Sequence, residues 1–565
     1  MDHLTKHIFS ILLLTIFILP NNTFAYTMPI GIPDTSIDFK QPPPQRPSNW
    51  SKEVPGYYYI DAKKGSSSRK FGSEKKPKKN IPNPIPAGSY VEISGNYSAG
   101  SGGVILILAK GTKQKWVAGK SGAVWITSSP KKPGAFTEKK VILSGSNAFI
   151  TGMVFKNRSL LQIGSFTKGY PAENIVVRNN EISGYIELAS GSLLSVLGNN
   201  EQSASKNIIF FKNTVKDAGD ISTPKDLDAG LIAIAGYASN IWVLQNTGYN
   251  ASGTGIQVNA KPPRTATHNI YVGNNEFYNV RQSGLWVKYA QNVVFSSNYI
   301  HDIITTPHSP AKGIGGQYEP EGLWIINNHI HGVEYGIRIP STSKVEGTKL
   351  KVYAIGNIIH NVQTKKAVGT NNTWESAAIH LVGAQEHYIY NNLIFDATNG
   401  INISGYNKTA KTVIQNNIIF DLTKGHLPGN SGYHIWTEGR NNLETLSIAN
   451  NFFSEDMKVR LIKYIYERAP MLEVSGHLNN IRGKISIPDN SLKSIINSIK
   501  STPSVSVKIQ DAGQNNTDIL ITAYKKQFPK SKGINIDFLN SPRIVGKAID
   551  IGPFELSLAE SNIQK

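Results

Sequence analysis

The sequence predicts an all-β chain: a single-stranded right-handed parallel β-helix, a solenoid with an N-terminal cap and an irregular C-terminal capping segment. Three observations predict it. First, a unit recurs in which an alternating apolar strand ends in Asn and a short apolar pair follows. Examples are Asn174-Ile-Val-Val-Arg-Asn-Asn-Glu-Ile182, Asn269-Ile-Tyr-Val-Gly-Asn-Asn-Glu-Phe277 and Thr412-Val-Ile-Gln-Asn-Asn-Ile-Ile419. The closing Asn falls at 180, 213, 246, 275, 298, 328, 357, 392, 417 and 451, at intervals of 23 to 35 residues, the spacing of a solenoid or a propeller. Second, the strands are three to five residues long, about three per unit, and no hairpin turn pair such as Asn-Gly recurs between them. Third, the V-x-V and I-x-I alternation gives each strand one inward face. Antiparallel propeller blades do not fit. Asn also tolerates the left-handed backbone that a sharp bend needs, so these residues are expected both to make the bend and to stack as a ladder, at roughly 0.5–1.5 kcal/mol per hydrogen bond.

Taken in order, residues 1–25 read as a secretory signal. Lys6 and His7 precede an apolar run over residues 8–19, and Thr23-Phe24-Ala25 offers small residues for cleavage. The run is short for a membrane span, so a secreted or periplasmic protein with no membrane span in the mature chain is expected. Residues 26–56, with Gln41-Pro-Pro-Pro-Gln45 at their centre, read as an extended linker. Residues 57–140 read as a basic cap and the first coils. From Asp61 to Lys140, sixteen Lys or Arg stand against four acids, a local charge of +12 within a chain of +20. Such a field attracts polyanions, and equally suits a solvated basic surface. The β-helix proper is expected over 141–456. Across 457–565 the repeat fades; 461–465 and 492–499 have helical spacing, and the closing segment is expected to cover the last coil, whose strand edges would otherwise lie bare. With no cysteine in 565 residues, disulfides, thiol catalysis and thiolate-held zinc are excluded. A monomer is expected.

A second strand type follows a Gly or Ala in each coil, as in Gly255-Ile-Gln-Val-Asn259, Gly284-Leu-Trp-Val-Lys288 and Gly336-Ile-Arg-Ile-Pro340. If the Ile, Leu and Val face in, their neighbours face out. Stacking the coils gives two outward columns. One reads Gln257, Trp286, Gly315, Arg338, His380, Asn402, His434; the other reads Asn259, Lys288, Gln317, Pro340, Val382, Ser404, Trp436. Amides, aromatics and a few cations on one strip suit sugar stacking and recognition of hydroxyls or carboxylates. Each could equally be a ladder or packing residue.

The chain resembles bacterial members of the pectate-lyase-like right-handed β-helix superfamily over most of residues 57–555. The resemblance rests on the coil pattern and two segments. One is Gly284-Leu-Trp-Val-Lys-Tyr-Ala290 followed by Gly313-Ile-Gly-Gly-Gln-Tyr-Glu-Pro-Glu321; the other is the ending Ala548-Ile-Asp-Ile-Gly-Pro-Phe-Glu555. It implies that a glycan lies along the outward strip. Elimination at a uronic acid, or its C5 epimerisation, needs a cation or amide on the carboxylate and a base about 3 Å from the C5 proton. Lys288 is the base candidate, with Tyr289 and His380 behind it. Arg338 is placed at the catalytic centre, where it would lower the lysine's pKa and grip the carboxylate. Gln257, Asn259, Trp286, Gln317, Tyr318, Glu319, Asn402 and His434 are candidates for substrate contact.

Departures from family patterns count too. The mannuronan epimerase motif is missing, with Thr306-Pro307-His308-Ser309 as a poor match, and the paired Asp of polygalacturonases is absent. Only Glu319 and Glu321 offer carboxylates near the strip for glycosidase chemistry. Asp217, Asp220, Asp226 and Asp228 could together bind Ca²⁺, but a solvated acidic loop is the favoured reading, and no metal ligands are assigned. The partner expected is an acidic polysaccharide. No nucleic acid is expected, because the basic segment lacks interleaved aromatics. Two functional readings follow: a polysaccharide lyase or epimerase acting on an acidic glycan, or a non-catalytic adhesin or glycan-binding β-helix.

Overall fold

The computed structural model describes residues 26–339, 351–461, 464–467, 480–485, 517–535 and 552–554. Within these spans it leaves out 99–101, 166–169, 261–262, 319, 365–374, 383–385, 406–410, 424, 426–430 and 440–445; of residues 491–500 it describes 494 and 497–499. The expected signal segment therefore lies outside the described residues, among which no helix is long and apolar enough to cross a membrane.

Each coil has three strands, and each strand pairs in parallel with its counterpart one coil on. The first face holds the strand before the Asn, the second the short strand after it, and the third the strand that follows the Gly. Among the described residues the second face is a sheet of 14 strands; at ~4.8 Å per strand it extends about 60 Å. The other two faces form one 27-stranded sheet, because Lys140–Thr151 runs around the corner between them. The parallel right-handed β-helix follows from inward columns of like residues. Ile175, Ile208, Ile241, Ile270 and Val293 align coil upon coil, as do Val177, Phe210, Val243, Val272 and Phe295, and all are fully buried.

The Asn ladder runs as expected and one rung further, to Asn480. Each side-chain carbonyl accepts from the backbone N–H and the amide of the Asn one coil before it, at 2.8–3.1 Å. Each amide also donates to strand carbonyls, as Asn328 Nδ2 does to Phe295 O at 2.9 Å. The bend itself is made elsewhere. The left-handed residue is the one before the ladder Asn, for example Asn179, Lys212, Gln245, Asn274, Ser297 and Asn327. Bend and ladder thus fall to adjacent residues, which is why many coils carry Asn-Asn. Asn328→Ala should lower stability by about 3 kcal/mol or more, since it orphans several fully buried polar groups. A urea midpoint unchanged within error would show the ladder to be ornamental.

The Gly that opens each third-face strand has a steric cause. A Cβ on Gly284, Gly313 or Gly336 would lie 2.3–2.4 Å from the Cγ2 of Ile300, Ile330 or Ile359 on the second sheet.

The first face is apolar outside as well as inside. Val176, Ile209, Trp242, Tyr271, Val294, Trp324 and Tyr353 point outward, and they are buried. Residues 26–50, expected as a linker, are extended but lie along this face, packing Ile30, Ile32, Phe39 and Trp50 on it. Trp242 Nε1 donates to Pro33 O at 3.0 Å. Helix α1 (Thr517–Gln527) adds to the cover through Leu520 and Tyr524, and Phe528 and Ile534 follow it. Gln527 accepts from Trp324 Nε1 at 2.8 Å and donates to Asn292 Oδ1 at 2.8 Å, ending a second Asn ladder that runs through Asn147, Asn174, Asn207, Asn240, Asn269 and Asn292.

Two expectations for the C-terminal region need correction. Lys458–Leu461 and Tyr464–Glu467 are antiparallel strands, not helix; of 492–499, the described residues 494 and 497–499 are helical. The described part of the closing segment does not sit over the last coil. Gly552 N donates to Asn416 O at 2.7 Å, Asn391 Nδ2 donates to Gly552 O at 3.0 Å, and Phe554 is buried beside Phe395 and Phe420. It braces the flank of the coils.

Candidate functional site

The third-face registers bring the proposed strip together. Gln257 pairs with Trp286, Trp286 with Gly315, Gly315 with Arg338, Arg338 with His380 and His380 with Asn402. Beside them run Asn259, Lys288 and Gln317, and further on Val382 and Ser404. Pro340 and Glu319 lie outside the described residues.

His434 is misplaced in the expected column. Asn402 pairs with Trp436, and Ile401 with Ile435. His434 sits two residues earlier, buried, with Nε2 2.6 Å from Ser454 Oγ and Nδ1 accepting from Lys458 N at 3.2 Å. It is a packing residue.

The middle of the strip is built around Gly315. A Cβ there would meet the Trp286 ring at 2.6 Å, so the missing side chain makes room for the indole. The indole does not lie open as a sugar platform: Trp286 is 5% exposed, and the Lys312 ammonium lies 5.3 Å from its ring centroid. One coil on, the Arg338 guanidinium lies 4.4 Å over the Tyr335 ring, and Tyr335 stacks on His380 at 5.5 Å.

Lys312 was not among the sequence candidates. It opens the strand Lys312–Gln317, one residue before the Gly from which the columns were counted. Its pKa is lowered to about 7, first by burial, then by Arg338, with Lys288 adding a little and Glu334 and Asp226 opposing. Nζ donates to Ser309 Oγ and, at 3.0 Å, to Pro310 O. A neutral amine satisfies both acceptors and keeps its lone pair. Lys288 and Arg338 are half-buried. Tyr289 and Tyr318 stack at 4.7 Å just past the strand ends, both at positive φ.

His380 is a poor base. Burial first and Arg338 second lower its pKa to about 3, and Nε2 is 3.0 Å from Ser404 Oγ. It is instead a neutral polar group facing the strip. Three polar atoms in consecutive coils, Arg338 Nε, His380 Nδ1 and Asn402 Oδ1, are buried without a hydrogen-bond partner among the described residues.

Glu321 does not belong here, since it pairs with Gln291 on the first face. Glu334 and Asp226 are carboxylates whose charge acts on Lys312. Glu334 accepts from Thr305 Oγ1 at 2.7 Å and Ala311 N at 2.9 Å. The four aspartates of the 217–228 loop do not share one site. Asp217 accepts from Asn250 Nδ2, Asp220 from Ser222, and Asp228 from Gln282 Nε2, while Asp226 lies within reach of the Lys312 charge. The loop is fixed as one wall of the strip by Arg281 on Lys225 O and His308 on Pro224 O.

Fold and strip together define the class: a right-handed parallel β-helix with a polar and cationic strip on its third face. No family model matches the chain, and no curated protein matches it in sequence. Among solved structures it is similar to XylC bound to xylose, at 11% identity over 88% of this chain and 98% of that one, with a TM-score of 0.45. It is also similar to the alginate lyase AlyGC of polysaccharide lyase family 6, at 10% identity over 73% of this chain, with a TM-score of 0.37. The chain spans about half of that enzyme, 52%. A third is the lacto-N-biosidase from Eubacterium ramulus, at 12% identity over 76% of this chain and 68% of that one, with a TM-score of 0.29.

Proposed function

We propose that the chain is an exported, carbohydrate-active β-helix that binds an acidic polysaccharide along its third face and acts on it as a lyase or epimerase. The observation that carries this reading is the row of unpartnered polar atoms at Arg338, His380 and Asn402 beside a buried lysine whose pKa is near neutrality. Buried polar groups left unpaired cost about 1–3 kcal/mol each, a cost that a bound glycan's hydroxyls and carboxylate would remove. In this reading Arg338 and Lys288 hold the uronate carboxylate, which acidifies the C5 proton. Gln317, Asn259 and Gln257 contact hydroxyls along the strip, and Tyr289 and Tyr318 border it. Lys312 rather than Lys288 takes the C5 proton, because its amine is neutral for about half the time at pH 7.

Incubation with a panel of uronate polymers, followed by the ultraviolet absorbance of the unsaturated product and by proton exchange at C5, tests the chemistry. Arg338→Ala should weaken binding of an anionic polymer tenfold or more and leave a neutral glucan unaffected. Equal binding of neutral and anionic polymers at low salt would sink the charge argument. Binding without turnover is the second reading, favoured by the covered Trp286 ring and by Lys312 and Arg338 already lying over aromatic rings. A panel that yields neither product nor exchange would establish it.

A further inference from the structure

On the second face a different cluster has formed that the strip does not use. Tyr299–His301, His329–Val333 and Ile358–Val362 are consecutive strands in register, with Ile300, Ile330 and Ile359 pointing into the core. The flanking residues therefore face out, and four are histidines. Tyr299, His329 and Ile358 form one column; His301, His331 and His360 form the other. The second column belongs to a longer ring stack that runs from Tyr249 and Tyr278 through His301, His331 and His360 to Phe395 and Phe420.

Stacking alone explains rings in that column, and Tyr and Phe serve it equally well. His329, in the other column, also stacks on Tyr299 and His360 at 5.0 and 5.1 Å, but stacking does not require that its Nε2 turn to within 2.9 Å of His360 Nε2. His331 Nε2 is held 2.9 Å from Tyr299 Oη. One ring nitrogen from each of His329, His331 and His360 can be chosen so that all three lie within 4.8 Å of one another. His360 Nδ1 is buried without a hydrogen-bond partner among the described residues.

We propose that His329, His331 and His360 form a site for a first-row divalent transition metal of the zinc class, tying two consecutive coils together on a face other than that of the strip. Imidazole nitrogens suit zinc, copper and nickel, whereas calcium and magnesium take oxygen ligands. Zn–N bonds of about 2.0–2.1 Å in a tetrahedral site place nitrogens roughly 3.3 Å apart. The His329–His360 pair is already near that spacing, and rotation of the His331 ring brings in the third. Three protein nitrogens leave one position open, next to Tyr299. His301, held by Asp302 at 2.9 Å and Glu276 at 3.4 Å, is committed to carboxylates and stands outside the set.

The test uses untagged full-length protein stripped with chelator, then titrated with Zn²⁺ and, separately, with Co²⁺ and Ca²⁺. One equivalent of Zn²⁺ should bind at micromolar or tighter affinity, Co²⁺ should give the visible spectrum of a nitrogen-ligated low-coordinate site, and Ca²⁺ should not compete. His360→Phe keeps the ring stack, because Phe395 is the next ring, and should weaken Zn²⁺ at least a hundredfold while the metal-free melting temperature stays within about two degrees. His329→Phe, which keeps a ring against Tyr299 and His360, should do the same. Absence of stoichiometric Zn²⁺ binding in the parent would overturn the proposal. So would unchanged affinity in both variants, or competition by Ca²⁺.

Discussion

Lys312→Met is expected to abolish turnover of a uronate polymer and at the same time to raise the melting temperature. The two effects share one cause. Burying the Lys312 side chain lowers its pKa from 10.5 to about 7, so near pH 7 the folded state holds an amine that would rather be protonated and solvated. Between about pH 7 and 10.5 the unfolded chain binds the extra proton, so stability rises with pH across that window. Methionine fills similar space without that penalty, and the rise should disappear. The same substitution removes the proton acceptor. If the amine acts only in the transition state, kcat should fall by several orders of magnitude while polymer affinity changes a few-fold. Lys312→Arg should be nearly as inactive, since a guanidinium does not give up its proton near neutral pH.

Lys288 supplies the contrast. If it holds the carboxylate, Lys288→Ala should raise KM, and Lys288→Arg should restore most of the loss. The reverse pattern, with a dead Lys288→Arg and an active Lys312→Met, would return the base role to Lys288. Parent-level activity in both methionine and alanine variants would remove lysine from the chemistry.

The ladder was legible because a buried amide must find partners, and only a fixed spacing of one Asn per coil supplies them. The strip was legible because parallel register and period-two alternation carry an outward residue to the same place on the next coil. A glycine marks the start of a third-face strand only where packing excludes its Cβ. Gly400 opens a strand because its Cβ would meet the next coil's backbone, the His434 carbonyl at 2.4 Å. Gly432 was counted as its counterpart, yet Gly432 sits at φ +78° with open space around it. It is a turn glycine, and His434 occupies the landmark position. Lys312 was missed because counting began one residue after it. The His329-Ile330-His331 triplet carries the alternation of an outward pair, but second-face strands as short as two or three residues hold too few positions for periodicity to set a face. The apolar outer surface of the first face had a signal too: Val176 and Ile209 break the polar-out alternation, as covered strands do. What covers them, residues 26–50 and α1, comes from the two ends of the chain, and no local pattern joins these.

Acid should unfold the protein over a window set by its buried imidazoles. His380, His387 and His434 have their pKa values lowered to about 3, 4 and 4, in each case chiefly by burial. Arg338 adds to the effect at His380, whereas Asp456 and the Lys458 N–H oppose it at His434. His387 lies 3.2 Å from Thr412 Oγ1, with its Nε2 buried and unpartnered among the described residues. In the unfolded chain these rings titrate near 6.5. Between 6.5 and about 4 the unfolded state therefore binds more protons, so their contribution is complete above 6.5 and is lost as the pH falls through the window. At about 1.4 kcal/mol per pKa unit, each ring is worth on the order of 3–5 kcal/mol. Carboxylates stay largely ionised above about pH 5, so a drop in melting temperature between pH 6.5 and 5, measured with chelator present, reports imidazoles. His387→Met, which keeps the volume and cannot protonate, should flatten that slope by about one proton's share. A melting temperature that is constant from pH 7 to 5 would mean that these rings take up protons in the folded state, with water or a carboxylate reaching them.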